Sequence, residues 1–136
     1  MVLIVFAALI LYAVYRPIHS DIVWMTDFDA ARKAARNQDK PILLYFTGDW
    51  CPPCRRMSRW TWPDDQVEEL VMSSFIPLEI DLPDAFEVHP LAVRYNVNMF
   101  PTIIVADAEG VPLVVLPGYV APPDLVKLLS PGARAE

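Results

Sequence analysis

The sequence predicts an α/β domain, a central mixed sheet flanked by helices, behind an N-terminal hydrophobic segment. Three observations predict it. The apolar run Ile42 to Phe46 has strand character and breaks, across Thr47-Gly48-Asp49, into a helix that opens on Trp50-Cys51-Pro52-Pro53-Cys54. Strand-like and helix-like segments alternate through the first two thirds of the chain, the pattern of a parallel β-unit. Two further apolar runs are joined by Asp107-Ala108-Glu109-Gly110, which has hairpin chemistry and adds an antiparallel arm. At 136 residues and 54% hydrophobic, the chain has material for one core.

Val2 to Tyr15 is an unbroken apolar run ended by Arg16-Pro17. As a helix it extends about 21 Å at 1.5 Å per residue, short of a hydrocarbon core of about 30 Å. That length suits a signal or anchor segment, cleaved or retained, with Ile18-His19-Ser20 as a weak cleavage site. A buried first helix is the alternative, but the run has no polar face. Residues 1–19 are therefore expected to form a hydrophobic signal/anchor segment and linker, and residues 20–136 the folded domain.

In the domain, Ile22-Val23-Trp24 is expected to open as a short strand. Thr26 or Asp27 then caps a helix with Phe28, Ala31, Ala34 and Ala35 on one face. Pro41 starts the central strand, and the CxxC helix carries Arg55, Arg56 and Met57. Asp64 caps the next helix, which turns Val67, Leu70 and Val71 inward. Phe75 to Asp81 is the following strand, Leu91 to Tyr95 a short helix with Pro90 in its first turn, and Ile103-Ile104-Val105 and Val111 to Leu116 the hairpin arms. Pro122 and Pro123 lead into a last helix with Leu125, Leu128 and Leu129 inward, stopped by Ser130-Pro131-Gly132. No internal repeat or low-complexity tract is present.

The net charge of −6 and the scattered Lys and Arg residues exclude a nucleic-acid footprint. Cys51 and Cys54 are the chain's only cysteines. A zinc site needs about four N/S ligands, and only His19 and His89 remain as candidates, without ligand spacing. A structural disulfide across so short a loop would constrain the unfolded chain little. Redox chemistry fits best. A first cysteine at a helix N-terminus is favoured as the thiolate by unpaired N–H groups and the dipole, and the second, one turn on, can attack a mixed disulfide. Pro52 and Pro53 remove two N–H groups near Cys51, which leaves that of Cys54 as local donor, while Arg55 and Arg56 add positive charge.

Trp50-Cys51-Pro52-Pro53-Cys54, Phe100-Pro101-Thr102 and Gly118, in this order and spacing, resemble the thioredoxin fold over about Ile22 to Leu129. Tyr45 to Met57, with Thr61, Asp64, Val67 and Ile80-Asp81, is most similar to the C-terminal periplasmic domain of the thiol:disulfide interchange protein DsbD and related membrane-tethered thioredoxin-like proteins. The resemblance implies that Cys51 is an attacking, partly exposed thiolate, Cys54 a buried resolving thiol, and Pro101 a cis-proline whose preceding backbone pairs with substrate. Trp50 and Phe100 would form an apolar docking rim, with Trp60 and Trp62 either rim or packing residues. Many thioredoxins place a buried acid six residues before the first cysteine, often beside a lysine on the neighbouring strand. Here Tyr45 and, by alignment, Pro77 stand at those places. That leaves Asp49 as a candidate proton carrier for Cys54, the alternative being a solvated connector carboxylate.

The resulting expectation is a monomeric thiol–disulfide oxidoreductase of the cell envelope, periplasmic and anchored in the inner membrane by its N-terminal segment. It would reduce disulfides of exported proteins with electrons from a membrane donor protein and would use no cofactor. An oxidase or isomerase running on the same cysteines, or a non-catalytic Cu(I)-handling module, are the rival readings.

Overall fold

The computed structural model describes residues 1–15 and 18–131, so Arg16, Pro17 and Gly132 lie outside the described residues. Helix α1 spans Val2–Tyr15 and buries none of its side chains. No helix among the described residues is long and apolar enough to cross a membrane.

The strands β1 (Ile42–Thr47), β2 (Ile76–Asp81), β3 (Thr102–Ala106) and β4 (Pro112–Pro117) form one mixed sheet in the order β2-β1-β3-β4. Strand β1 pairs parallel with β2 and antiparallel with β3, and β3 pairs antiparallel with β4. Every residue of β1 is buried because it lies between two strands and under helices on both faces. Its continuous apolar run is the composition such a position requires.

Helix α2 (Phe28–Gln38) starts where Asp27 accepts from the Ala30 N–H and ends at Asp39 in the left-handed region, φ 51°. The CxxC helix α3 (Pro52–Arg56) continues into a π-helical turn over Met57–Thr61, marked by the Trp62 N–H donating to the Met57 carbonyl at 3.0 Å. Asp64 caps α4 (Asp65–Ser74) by accepting from the N–H groups of Gln66 and Val67. His89 caps α5 (Pro90–Arg94) through Nδ1, and α6 (Pro122–Leu129) opens on its two prolines.

Alternation along the strands divides the core between two faces. Ile42, Leu44 and Phe46 pack with Ala31 and Ala35 of α2, with Leu78 and Ile80, and with Ala92 of α5. Leu43 and Tyr45 pack with Met57, Trp62, Val67, Val71 and Leu125 under the helices that follow the CxxC motif.

Several expectations are corrected, among them the inward place of Leu128, which is exposed on α6 while Leu125 and Leu129 are buried. The Ile22-Val23-Trp24 segment is not a strand; pairing shrinks to a single bridge between Met25 and Leu78. Pro77 has no N–H to extend that edge, and Trp24 instead enters an aromatic cluster, its ring 5.5 Å from Tyr45 and 4.9 Å from Trp62. Strand β2 starts at Ile76, not Phe75, and α5 runs Pro90–Arg94 rather than to Tyr95. Register sets Pro77 opposite Leu43, whereas the β2 residue opposite Tyr45 is Glu79.

Candidate active site

Cys51 sits at the end of the β1 connector, extended at φ −96° and ψ 110°, and caps α3. Its Sγ accepts from the Cys54 N–H at 3.3 Å. Pro52 and Pro53 fill the first two helical positions and bring no N–H, so the single local donor foreseen from the sequence is the one found. Cys51 and Cys54 are joined as a disulfide with Cα atoms 5.2 Å apart.

Both sulfurs are covered in this state, Cys51 at 3% exposure and Cys54 at 1%. The expected partly exposed Cys51 is thus buried: each sulfur shields the other, and Cys51 is tucked between the connector and its helix. What distinguishes the two is local bonding. Cys51 receives the helix N–H, and Cys54 lies one turn inside the helix.

Trp50 turns back from the dithiol, its Nε1 donating to the Leu82 carbonyl at 2.9 Å and its ring meeting Phe100 edge-on at 5.5 Å. Gly48 makes this possible: a Cβ there would lie 2.3 Å from the Trp50 Nε1. The Phe100–Pro101 bond is cis, as the resemblance implied. The Pro101 carbonyl accepts from the N–H of Gly118, a residue whose φ of 87° favours glycine. Trp50 and Phe100 therefore sit together. Trp60 and Trp62 do not join them: Trp62 is buried against Tyr45 with ring centroids 4.8 Å apart, while Trp60 is 55% exposed under the Arg59 guanidinium. Asp49 is exposed, and its backbone carbonyl accepts from Arg55 at 2.7 Å.

A groove of about 740 Å³ reaches Cys54 between Thr47, Asp49, Arg55, Arg56, Ser58 and Arg59. Behind the dithiol, the Tyr45 hydroxyl donates to the Cys54 carbonyl at 3.4 Å and the Ser58 hydroxyl to the same oxygen at 3.3 Å. Burial pushes the Tyr45 hydroxyl's pKa up, against opposing contributions from the polar groups of Thr47, Trp62 and Ser58. Burial also raises the carboxyl of Glu79, and the charges of Asp81 and Asp49 add to the effect; Asp81 is raised by burial and by Asp49. Thr47, Ser58 and Glu79 were not singled out from the sequence. The available signal was a polar residue every second position on β1 and β2, with Ser58 one turn beyond Cys54. Among the described residues, no group of three or more His, Cys, Asp or Glu could hold a metal ion.

A cysteine pair that closes to a disulfide at the entrance of a helix, with a cis-proline ahead of β3 and on this sheet, is the arrangement of the thioredoxin-like class of thiol–disulfide exchange domains. The chain belongs to the thioredoxin-like domain family, whose model matches residues 28–132. It is 30% identical over 92 residues to the thiol:disulfide interchange protein DsbD of Pseudoalteromonas atlantica, a match covering 63% of this chain and 14% of that protein. The chain therefore spans a small part of the length of such relatives. Among solved structures it resembles the oxidised C-terminal domain of Neisseria meningitidis DsbD, with 25% identity, a TM-score of 0.63, and coverage of 77% of this chain and 95% of that one. A candidate disulphide-isomerase from Bacteroides thetaiotaomicron is 27% identical at a TM-score of 0.71, with coverage of 87% and 98%.

Proposed function

We propose that the chain is a cell-envelope reductase of disulfides in exported proteins. Cys51 attacks a substrate disulfide, and Cys54 then displaces the reduced substrate and closes the Cys51–Cys54 bond. The observation that carries this reading is the Cys54 N–H directed at Cys51 Sγ, a donor placed to stabilise a thiolate on that sulfur once the disulfide is reduced. Phe100, the backbone before Pro101, and Trp50 present the docking edge, with Asp49 at its margin. The likeness to DsbD supports a periplasmic location and a membrane electron donor, which an oxidising compartment requires of any reductase. Residues 1–19 form the tether and linker and residues 20–136 the catalytic domain, a division supported by the wholly exposed apolar face of α1. Trapping tests it. With Cys54→Ser and Cys51 intact, the protein should accumulate covalent adducts with exported cysteine-containing proteins, identifiable after non-reducing separation; an adduct-free protein in expressing cells would refute the reading.

The likeness to a candidate disulphide-isomerase favours a second direction of electron flow. The reduction potential separates the two. A value towards about −270 mV marks a reductase, and one towards about −120 mV an oxidant.

A further inference from the structure

Resolution of a mixed disulfide requires Cys54 to attack as a thiolate, yet this sulfur lies 1% exposed and a buried thiol holds its proton. A base must take that proton. The side chains bonded to the Cys54 carbonyl are the hydroxyls of Tyr45 and Ser58, and Thr47 lines the groove that reaches this residue. None of these is a base at neutral pH, and Tyr45 is shifted further from being one by burial. A hydroxyl can still pass a proton along.

The sheet register supplies an acceptor. Glu79 of β2 pairs with Tyr45 of β1, so both side chains leave the sheet on the face covered by the CxxC helix. Glu79 is half-buried and stands opposite Tyr45 in the register, and with the disulfide closed no hydrogen bond joins their side chains. Trp62 Nε1, buried beside Tyr45, has no hydrogen-bond partner among the described residues, so the pocket around the hydroxyl keeps an unsatisfied donor. A carboxyl lifted above its ordinary value also lies closer to the thiol it must deprotonate.

We propose that Glu79 accepts the Cys54 proton, with the Tyr45 hydroxyl relaying it once it turns from the Cys54 carbonyl in the reduced or mixed-disulfide state. The inference rests on the reading of Cys51 as attacking and Cys54 as resolving. In the step, the Cys54 S–H proton passes to Tyr45 as the Tyr45 proton passes to the Glu79 carboxylate. The Cys54 thiolate bonds to Cys51 Sγ, the bond from Cys51 to the substrate sulfur breaks, and that sulfur leaves as a thiolate with the electron pair. Glu79, on the neighbouring strand β2, takes the place of an acid on β1, where Tyr45 stands. The charged groups facing Glu79 are Asp81 on its own strand and Asp49 on the β1 connector, while Arg55, Arg56 and Arg59 stand on the overlying helix and line the groove with Asp49.

The test separates the two thiol steps. The reduced protein is mixed with one equivalent of dithiobis-nitrobenzoate, which releases one coloured thiolate when Cys51 attacks and a second when Cys54 resolves. Glu79→Gln should leave the first phase within about twofold and slow the second about tenfold or more at pH 7. The deficit should shrink as pH rises and hydroxide takes over the deprotonation of the Cys54 thiol. Tyr45→Phe should reproduce the pattern at smaller amplitude, and it carries the test if Glu79→Gln loses its native circular dichroism. A second phase unchanged in both variants overturns the proposal, as does a deficit that is the same at every pH. A slow first phase in the unmodified protein refutes instead the underlying reading of Cys51, and the proposal with it.

Discussion

The two faces of the sheet are built from alternate residues of the same strand, yet they differ in kind. Under α2 and α5, Ile42, Leu44 and Phe46 meet alanines, aliphatics and aromatic rings. Under the CxxC helix, Leu43 is followed by Tyr45 and Thr47, whose polar groups face Cys54, Ser58 and the Trp62 indole. The first face contributes stability through apolar burial. The second gives up part of that apolar contact to hold protonatable groups behind a buried thiol. Strand β1 therefore works as a partition: its even-numbered residues support the fold, while Tyr45 and Thr47 on the other side serve the chemistry.

Deleting a ring on the apolar face should produce the largest stability loss. Phe46→Ala removes a fully buried side chain, and a cost of about 3–5 kcal/mol is expected in denaturant melts. The two thiols should keep their relative reactivities in whatever fraction remains folded. A large change in that ratio at native conditions would break the division between faces.

A smaller effect of opposite sign is expected across the sheet. The folded-state pKa of Glu79 is raised above 4.5, so the folded protein binds the extra proton between its unfolded and folded values, and stability falls as pH rises through that window. Glu79→Gln should therefore be more stable than the parent at pH 7, with the difference vanishing below about pH 4 in paired thermal melts. The same pair of melts for Phe46→Ala should show a deficit that does not depend on pH. Parallel pH profiles for the two variants would erase the contrast.

Much of this arrangement was legible in the residues. Asp64 and the Thr26-Asp27 pair, of which Asp27 is the cap, announced their helices because a cap is a local hydrogen bond, and the loss of N–H groups at Pro52 and Pro53 follows from proline alone. The hairpin at Asp107 to Gly110 was equally local: the Asp107 carboxylate accepts from the N–H groups of Glu109 and Val111. What escaped is non-local. Alternation shows that Glu79 faces one side of β2, but its pairing with Tyr45 depends on register, and alignment pointed to Pro77. The π-helical turn escaped for a related reason, since Ser58-Arg59-Trp60 carries no periodic mark that distinguishes five residues per bond from four. That turn separates Trp60 from Trp62 and leaves one in solvent and the other in the core.

The central claim is that one of two adjacent sulfurs is held as a thiolate by the N–H at the entrance of its helix. Alkylation of the reduced protein across a pH series, with the modified cysteine located by mass spectrometry, tests it directly. Cys51 should titrate well below the ordinary cysteine value of about 8.5 while Cys54 stays unreactive. A Cys51 midpoint at or above that value, or faster modification of Cys54, would contradict the account.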